Sequence, residues 1–246
     1  MAFGTNSAAP EARPGPDPKL LQHLRVQPEH VQSFNTQAHQ IRAAHESQDL
    51  ATATALRGKY QAPLFGAVAP WALVEKLAQC TDPSDHHLFG ASQWLHCLQI
   101  IDAMESDGMA SEEFVVAAIL HDLGKLAMLA GEAPAHVLWR NRLLSLGAAH
   151  AGLDQCVLQW SCDDLAWSRL KDFLPDPLAW LVRYHSITTT DCEPYLDARD
   201  RDYVEHWLRP FRRYDLASKS PFFVPRRRLE DYRPVLEKYL PPTIVF

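Results

Sequence analysis

The sequence predicts an all-α protein that folds as a single helical bundle. Apolar residues recur at intervals of three and four positions through most of the 246 residues, which is the spacing of one face of an α-helix. No segment alternates apolar and polar residues as a strand does, and no Asn-Gly or Asp-Gly pair joins two strand-like runs. The predicted domain spans residues 25–246. Residues 1–24 are expected to form a flexible tail, since the start of the chain is rich in proline, alanine and glycine.

The N-terminal half contains five predicted helices. The first two carry apolar residues at helical intervals with polar residues between them. Pro70 favours the start of the third helix, because proline is well tolerated in the first turn. Gly108 ends the fourth helix, and Ser111 with the two acids after it begins the fifth. These helices are predicted at residues 29–45, 49–60, 69–80, 90–108 and 111–122.

The C-terminal half contains four further predicted helices, which show the same periodicity. No internal repeat and no linker interrupts the series, so one domain is expected. These helices are predicted at residues 153–173, 176–186, 201–219 and 228–240.

The charge and hydropathy of the chain exclude two classes of partner. Lys and Arg number 24 and Asp and Glu number 30, so the formal charge is −6, whereas a nucleic-acid partner favours a basic surface. The N-terminal segment lacks an apolar signal core, and no window approaches about 18 consecutive apolar residues. We therefore expect no nucleic-acid partner, no secretion and no membrane span.

The cysteines indicate a reducing compartment. They are odd in number, five in all, and none belongs to a Cys-x-x-Cys pair, so neither a disulfide framework nor a zinc ribbon is predicted. Reduced thiols and a cytoplasmic location are expected. The five residues are Cys80, Cys97, Cys156, Cys162 and Cys192.

The chain has twelve histidines, and most have an ordinary structural explanation. His86 and His87 fall in a predicted loop, where a metal role is the less favoured alternative. His96 differs because it lies among apolar residues, and a buried imidazole needs partners for both ring nitrogens. Surface or capping roles are expected for His23, His30, His39, His45, His136 and His206.

The apolar run at residues 114–120 ends in His121 and Asp122. Burying a carboxylate among apolar side chains is costly unless it is paired, hydrogen-bonded or bound to a metal. Two neighbouring residues at a helix end can both reach one ion beyond it. Together with His96 and the distant Asp215, they supply two imidazoles and two carboxylates. Such a ligand set suits iron, manganese or zinc.

The order of these residues resembles the signature of the HD-domain superfamily, which is a separate histidine, a His-Asp doublet and a distal aspartate. Within that superfamily, residues 50–246 resemble the myo-inositol oxygenase family. The blocks that carry the resemblance are "ALRGKYQAP", "WALVEKLAQCTDPSD", "ILHDLGKLAMLAGE", "HAGLDQCVLQWSCDD", "WLVRYHS", "FRRYDLASK" and "LEDYRPVLEKYLPP". The resemblance implies an HD-domain helical bundle that oxidises a small molecule with O₂ at a non-haem di-iron centre.

The resemblance also implies a role for individual residues of this chain. It makes His96, His121, Asp122 and Asp215 ligands of the first iron, with Asp122 bridging to the second iron. It makes His185 a ligand of that second iron. Two irons are expected, and one is the alternative. The assembly is expected to be a monomer or a small homo-oligomer.

The same resemblance implies a substrate pocket lined by two lysines and a serine. Lys125, Ser186 and Lys219 are the expected substrate-binding residues, with the lysines holding polar or anionic groups. Lys125 is also expected to be catalytic, together with the bridging Asp122.

One ligand position departs from the family pattern. Two positions after Trp160 the family has a histidine that binds the second iron, whereas this chain has Cys162. The thiolate of Cys162 could bind that iron, or the carboxylate of Asp163 could replace it. As a third alternative, the second site is weakened or absent and a single metal site remains.

The pocket departs from the family pattern as well. The segment between Glu132 and Gly152 is short where the family has an insertion that contacts substrate, and an acidic contact position falls on Gln79. Retained lysines with fewer acids favour a substrate that is smaller or more anionic than inositol. Two other functions stay open, namely an HD-domain metal-dependent phosphohydrolase and a degenerate module that binds a metal or ligand without catalysis.

Overall fold

The computed structural model describes residues 28–246 except His86 and Phe89. The tail predicted at residues 1–24 lies outside the described residues. The described chain is built mainly from α-helices, which confirms the predicted all-α fold class. Among these helices, none combines the length and the apolar character that a membrane crossing requires.

The helices of the N-terminal half follow the predicted order. Asp49 caps the second helix, because its carboxylate accepts a hydrogen bond of 2.8 Å from the backbone N–H of Thr52. The third helix begins at Pro70, as predicted. The helices are Pro28–Glu46 (α1), Leu50–Lys59 (α2), Pro70–Lys76 (α3), Gln93–Ser106 (α4) and Glu112–Leu120 (α5), with 3₁₀ segments at Leu77–Gln79 and Leu123–Ala130.

The C-terminal half is more divided than the sequence predicts. Its helices are shorter, and 3₁₀ segments lie between them. The helices are Pro134–Val137 (α6), Cys162–Leu170 (α7), Asp176–Tyr184 (α8), Thr189–Cys192 (α9), Ala198–Tyr203 (α10), Arg209–Ala217 (α11) and Arg233–Leu236 (α12), with 3₁₀ segments at Leu153–Gln155, Glu193–Tyr195 and Leu229–Tyr232.

The prediction of one helix at residues 153–173 is wrong for the first half of that range. There the chain forms strand β3 (Val157–Leu158), which pairs antiparallel with β2 (Leu143–Ser145). Helix α7 starts only after Ser161, whose hydroxyl accepts a hydrogen bond of 3.2 Å from the backbone N–H of Asp163. A short apolar run fits either a buried strand or a buried helix by periodicity, and here the pairing with β2 decides.

A second strand pair, also not predicted, ties the last residues to the start of α3. Strand β1 (Ala67–Val68) pairs antiparallel with β4 (Ile244–Val245). The backbone N–H of Phe65 donates to the carbonyl oxygen of Phe246 at 2.7 Å, and the Phe246 side chain is fully buried. The C-terminal segment is therefore part of the packed core.

Helices α10 and α11 are consecutive parts of one helical rod that contains a π-helical segment at Val204–Leu208. The rod starts earlier than the predicted 201–219, because Asp197 caps it and accepts from the backbone N–H of Asp200 at 2.7 Å. Pro210 follows the π segment and cannot donate a helical hydrogen bond, which accounts for a break in the regular ladder there. The next turn carries Asp215.

Helix α5 lies at the centre of the molecule. Its capping residue Ser111 accepts from the backbone N–H of Phe114 at 3.3 Å, and residues 116–120 are inaccessible to solvent. A helix that is apolar on all sides needs neighbours on all sides. The side chains that follow α5, His121 and Asp122, consequently lie inside the protein.

His45 is a correction to the expected surface histidines. Its side chain is fully buried, and its Nδ1 lies 3.0 Å from the carbonyl oxygen of Ala135. Burial lowers the pKa of His45, so the ring is neutral near pH 7. His45 therefore joins α1 to the segment around α6 as a core residue.

The buried carboxylate of Glu132 is expected to make the protein acid-sensitive. It accepts from Lys59 Nζ at 2.5 Å and from the Tyr60 hydroxyl at 2.6 Å, and it lies 2.7 Å from His136 Nδ1. Burial raises the pKa of Glu132, but these contacts outweigh burial and lower the pKa from 4.5 to about 2. The stabilisation is thus fully present above pH 5 and is lost as the pH falls towards 2.

As the pH falls from 5 to 2, we expect the unfolding free energy of the wild type to decrease by about 2 kcal/mol more than that of Glu132→Gln. This figure is reduced to allow for the solvent exposure of Lys59, which screens the ion pair. Urea denaturation at a series of pH values measures this. As a matched control, Glu237→Gln removes an exposed carboxylate and should keep the wild-type pH dependence. An acid dependence of Glu132→Gln equal to that of the wild type contradicts the prediction.

Candidate metal centre

Three histidines from different parts of the chain meet at the end of α5. His96 belongs to α4, His121 follows α5 and His185 follows α8. The ring centroid of His121 lies 5.5 Å from that of His96 and 5.0 Å from that of His185. All three side chains are buried. The structure thus brings together the three histidines that the sequence pattern indicated.

The Nδ1 atom of each ring contacts an oxygen outside this cluster. Nδ1 of His121 and Nδ1 of His185 lie 3.0 Å and 3.1 Å from backbone carbonyl oxygens of the preceding turn. Nδ1 of His96 lies 3.3 Å from Oε1 of Gln99. Oxygen acceptors favour the tautomer that carries its proton on Nδ1. The lone pair of each Nε2 is therefore available to the centre of the cluster.

The two carboxylate oxygens of Asp122 face different histidines. Oδ2 lies 3.1 Å from Nε2 of His121, and Oδ1 lies 3.8 Å from Nε2 of His185. Burial raises the pKa of Asp122, but the charges of His121 and Lys125 outweigh burial and hold the pKa well below its usual range. Asp122 is therefore an ionised carboxylate between two imidazoles.

Asp215 lies on the other side of the cluster. Its Oδ1 is 3.0 Å from Nε2 of His96 and 4.0 Å from Nε2 of His121. Burial raises the pKa of Asp215, but Lys219 and the two histidines outweigh burial and hold the pKa well below its usual range. This carboxyl is therefore also ionised. Helix α11 carries Asp215 about two turns after the π-helical segment.

These donors fit a transition-metal ion. One ligand atom from each of His96, His121 and Asp122 lies within 4.8 Å of the other two. Nε2 of His121 is buried and makes no hydrogen bond with any described residue, although the Asp122 carboxylate is adjacent. A buried lone pair without a donor is costly unless an ion or water meets it. Imidazoles with carboxylates suit iron, manganese or zinc.

Lys125 is held between two aspartates. Its Nζ donates to Oδ2 of Asp82 at 2.7 Å, to Oδ2 of Asp122 at 2.8 Å and to Oε1 of Gln93 at 3.2 Å. Burial lowers the pKa of Lys125, but the two carboxylates raise it by more, so the pKa is well above its usual value. The predicted site lysine is therefore a buried ammonium group in contact with the cluster.

Asp82 is a site residue that the sequence pattern did not identify. The acidic contact position was assigned to Gln79, which is exposed at the end of a 3₁₀ segment, and that assignment stays a prediction. Asp82 comes three residues later in "CTDPSD", and its second oxygen, Oδ1, accepts from the backbone N–H of Ser84 at 2.8 Å. Two acids after a helix end, in a loop that returns towards the central motif, were the signal available in the sequence.

Lys219 makes a parallel arrangement from the end of α11. Its Nζ donates to Oδ2 of Asp85 at 2.7 Å and lies 3.6 Å from Oδ1 of Asp215. Burial lowers the pKa of Lys219, and the two carboxylates raise it above its usual value. Each predicted lysine thus joins one aspartate of the cluster to one aspartate of the 82–85 loop.

Cys162 lies at the start of α7, beside the cluster. Its Sγ donates to Oδ1 of Asp163 at 3.1 Å. Burial raises the pKa of the Cys162 thiol, and the charges of Asp163 and Asp122 raise it further, well above the usual value. Without a cation the group is therefore a thiol.

Asp163 is fully buried behind the second side of the cluster. Its Oδ1 lies 3.7 Å from Nε2 of His185. Its Oδ2 accepts from Nδ2 of Asn141 at 3.1 Å and from the hydroxyl of Ser186 at 2.5 Å. Ser186, predicted as a substrate contact, therefore borders the pocket with its hydroxyl directed at Asp163.

The cluster opens into a cavity of about 500 Å³. Ser186, Cys162 and the two lysines line it together with the aspartates already described and with His121 and His185. His87 also lines the cavity, while His86 lies outside the described residues. Every predicted site residue except His96 therefore borders one space that is large enough for a small molecule.

Comparisons with known proteins point to one family for this chain. The family model described as Myo-inositol oxygenase matches residues 34–140 and 141–246. The chain is 24% identical over 246 residues to inositol oxygenase 4 of Arabidopsis thaliana, with coverage of 82% of this chain and 76% of that protein. It is 26% identical over 210 residues to the probable inositol oxygenase of Oryza sativa subsp. japonica, with coverage of 70% and 68%.

An animal relative matches over a longer span. The chain is 21% identical over 282 residues to inositol oxygenase of Mus musculus, with coverage of 94% of this chain and 98% of that protein. These matches confirm the family that the sequence blocks indicated. Because the family model extends over most of its residues, the chain belongs to the myo-inositol oxygenase family.

Proposed function

We propose that the protein is a non-haem iron oxygenase that uses O₂ to oxidise or cleave a small polar or anionic molecule. The relatives indicate an oxygenase. The observation that carries the iron assignment is the buried set of three Nε2 atoms around two ionised carboxylates. Protein interiors do not keep such groups together without an ion or complete pairing.

In this proposal the first iron is held by His96, His121, Asp122 and Asp215. Support comes from the short distances between Asp215 and His96 and between Asp122 and His121, 3.0 Å and 3.1 Å. It also comes from Nε2 of His121, which faces the Asp122 carboxylate and meets no hydrogen-bond donor among the described residues. Ions of this kind accept both nitrogen and oxygen donors.

A second iron is proposed on the far side of Asp122, held by Oδ1 of that carboxylate, Nε2 of His185 and Sγ of Cys162. The separate orientations of the two Asp122 oxygens support a bridging role. Cys162 is preferred to Asp163 because it stands two positions after Trp160, where the family pattern has a histidine ligand, and because Oδ2 of Asp163 already accepts from Asn141 and Ser186. Metal binding displaces a thiol proton, and Oδ1 of Asp163 is placed to accept it.

Iron in these positions would supply a Lewis acid for a substrate oxygen and the electrons that reduce O₂. The chain's own residues set the geometry. Lys125 Nζ is positively charged and lies in the cavity wall, where a substrate oxygen beside Asp122 can take the place of Gln93, the most distant of its three acceptors. Lys219 offers the same type of donor from the opposite aspartate, Asp215. Two fixed donors orient a polyhydroxylated or anionic molecule at the centre.

Oxygen consumption tests the proposal. Protein is loaded with Fe(II) without air and mixed with O₂ and one of several probes, namely myo-inositol, inositol monophosphate, small hydroxy acids and hydroxyphosphonates. We expect at least one probe to accelerate O₂ uptake by the iron-loaded protein, with no acceleration for metal-free or Mn(II)-loaded protein. Uptake that no probe accelerates contradicts the oxygenase assignment.

The same preparations distinguish the rival functions. A phosphohydrolase needs only His96, His121, Asp122 and Asp215 with a metal-bound water, and it would release phosphate from nucleotides with Mn(II) or Co(II) in the absence of O₂. A non-catalytic module would bind metal or ligand and show neither reaction. Inclusion of nucleotides among the probes makes each of these outcomes visible.

A further inference from the structure

Five cationic side chains line the cavity, and two of them are not neutralised there. Lys125 and Lys219 each contact two aspartates. By contrast, no carboxylate of the described residues lies within 4.0 Å of the guanidinium groups of Arg140 or Arg212, the distance at which an ion pair is recognised. The five residues are Arg42, Lys125, Arg140, Arg212 and Lys219.

The acids of the cavity make their short contacts with groups other than the two arginines. Each acid already serves a lysine, a histidine or the hydrogen bonds of Asn141 and Ser186. These acids are Asp82, Asp85, Asp122, Asp163 and Asp215. Iron ions at the cluster would add further positive charge. The cavity thus holds as many carboxylates as cationic side chains, but neither Arg140 nor Arg212 is in direct contact with one of these carboxylates.

Arg212 is held rigidly in the wall. It belongs to α11, one turn before Asp215, and its Nη1 donates to the carbonyl oxygen of Ile187 at 2.8 Å. Burial lowers the pKa of Arg212, the charges of Asp215 and Asp163 raise it, and the charge of Arg140 lowers it. Two guanidinium groups that repel each other across a cavity are a natural binding site for an anion between them.

Arg140 follows a residue with an unusual backbone conformation. The preceding residue, Trp139, has φ 95°, a conformation that non-glycine side chains rarely adopt. The Trp139 indole donates to Glu46 at 3.1 Å, and the guanidinium carbons of Arg42 and Arg140 lie 4.1 Å and 5.3 Å from its ring centroid. Such a strained residue persists only where surrounding contacts hold it, and it often marks a functional site.

The residue after Arg140 connects this loop to the metal centre. The side chain of Asn141 donates to Asp163 at 3.1 Å, and Asp163 contacts both Cys162 and Ser186. The backbone at Arg140 is therefore connected to the cluster through Asn141, while its side chain is exposed and lies beside the Trp139 ring. This loop can hold one end of a molecule whose other end reaches the aspartates and histidines.

We propose that Arg140 and Arg212 form an oxyanion subsite that binds a phosphoryl or carboxylate group of the substrate. The planar guanidinium groups donate to the oxygens of this group, and the rest of the molecule extends towards Lys125 and the metal centre. The subsite makes an anionic substrate the preferred class. This inference rests on the proposed iron oxygenase function, because it places the reacting end of the substrate at the metal centre.

Calorimetric titration tests the subsite without turnover. Iron-loaded full-length protein, kept without O₂, is titrated with inorganic phosphate and separately with acetate at constant ionic strength. The variants are Arg140→Gln, Arg212→Gln and the control Arg213→Gln, which removes an exposed arginine next in sequence that pairs with Asp107. We expect Arg140→Gln and Arg212→Gln each to lower the affinity for the preferred anion about tenfold. Arg213→Gln should keep the affinity of the wild type.

Two further measurements keep the result clear. Arg212→Lys retains the charge and should recover part of the affinity, which guards against a folding defect from the lost Ile187 contact, and circular dichroism monitors folding. Stronger binding of phosphate than acetate indicates a phosphoryl substrate, and the reverse order a carboxylate. Affinities that Arg140→Gln and Arg212→Gln leave unchanged, or a wild type that binds neither anion, overturn the subsite. Because no O₂ is consumed, intact anion binding with failed O₂ uptake rejects the oxygenase proposal alone.

Discussion

Asp122→Asn is expected to lower the affinity for Fe(II) at least about 100-fold and to abolish O₂ uptake. The carboxylate faces His121 through one oxygen and His185 through the other, so the amide removes a charge from both proposed iron positions. Loss of a group that only orients a ligand typically costs 10–100-fold in metal affinity, and loss of a shared ligand costs more. Anaerobic Fe(II) titration with a chelator as competitor measures the affinity.

A matched control separates loss of a ligand from loss of charge. Asp107→Asn removes a carboxylate that pairs with Arg213 far from the cavity, and it should leave Fe(II) affinity unchanged. Equal Fe(II) affinity for Asp122→Asn and wild type would falsify the bridging role. Loss of affinity in both variants would mean that overall charge, and not the position of Asp122, controls binding.

Gly124→Ala is expected to destabilise the fold by about 3 kcal/mol and to disturb the second metal position. A Cβ atom at residue 124 would lie 1.9 Å from the carbonyl oxygen of Cys162 and 2.6 Å from its carbonyl carbon. Both obstacles are backbone atoms, which no change of side-chain conformation can remove. The 3₁₀ segment after the His-Asp pair or the start of α7 must therefore move, and the movement separates Cys162 from Asp122.

The opposite result is expected at another glycine of the same chain. Gly58 lies in α2, and a Cβ atom at this position would meet no described atom within 4 Å. Gly58→Ala should therefore stabilise the protein by about 0.5–1 kcal/mol through helix propensity. Urea denaturation of both variants measures the two effects. Gly124→Ala with wild-type stability would show that the packing of the central motif against Cys162 tolerates a side chain.

The parts of the molecule that local chemistry determines could be predicted from the sequence. Ser111 and the acids after it begin α5 as expected, because capping needs only neighbouring residues. The juxtaposition of His121 and Asp122 with His96 followed from the cost of burying such groups and from the family resemblance. The structure brings these residues together, and their roles as iron ligands remain predictions.

Features that depend on distant partners could not be predicted. Strand β3 forms because residues 143–145 pair with it, and its own apolar run fits a helix equally well. Asp82 enters the site through an ion pair with Lys125, which is 43 residues away in the sequence. The orientation of Arg140 depends on the positive φ of Trp139, and no local residue pattern indicates such a conformation.

Iron content and ⁵⁷Fe Mössbauer spectra together show whether two irons lie on either side of Asp122. Wild type, Cys162→Ala and Cys162→His are loaded with iron without air, and the iron per chain and the spectrum are recorded for each. We predict about two irons in the wild type, loss of the second in Cys162→Ala, and its return with a changed spectrum in Cys162→His. A folded wild type that retains no iron contradicts the proposed metal centre.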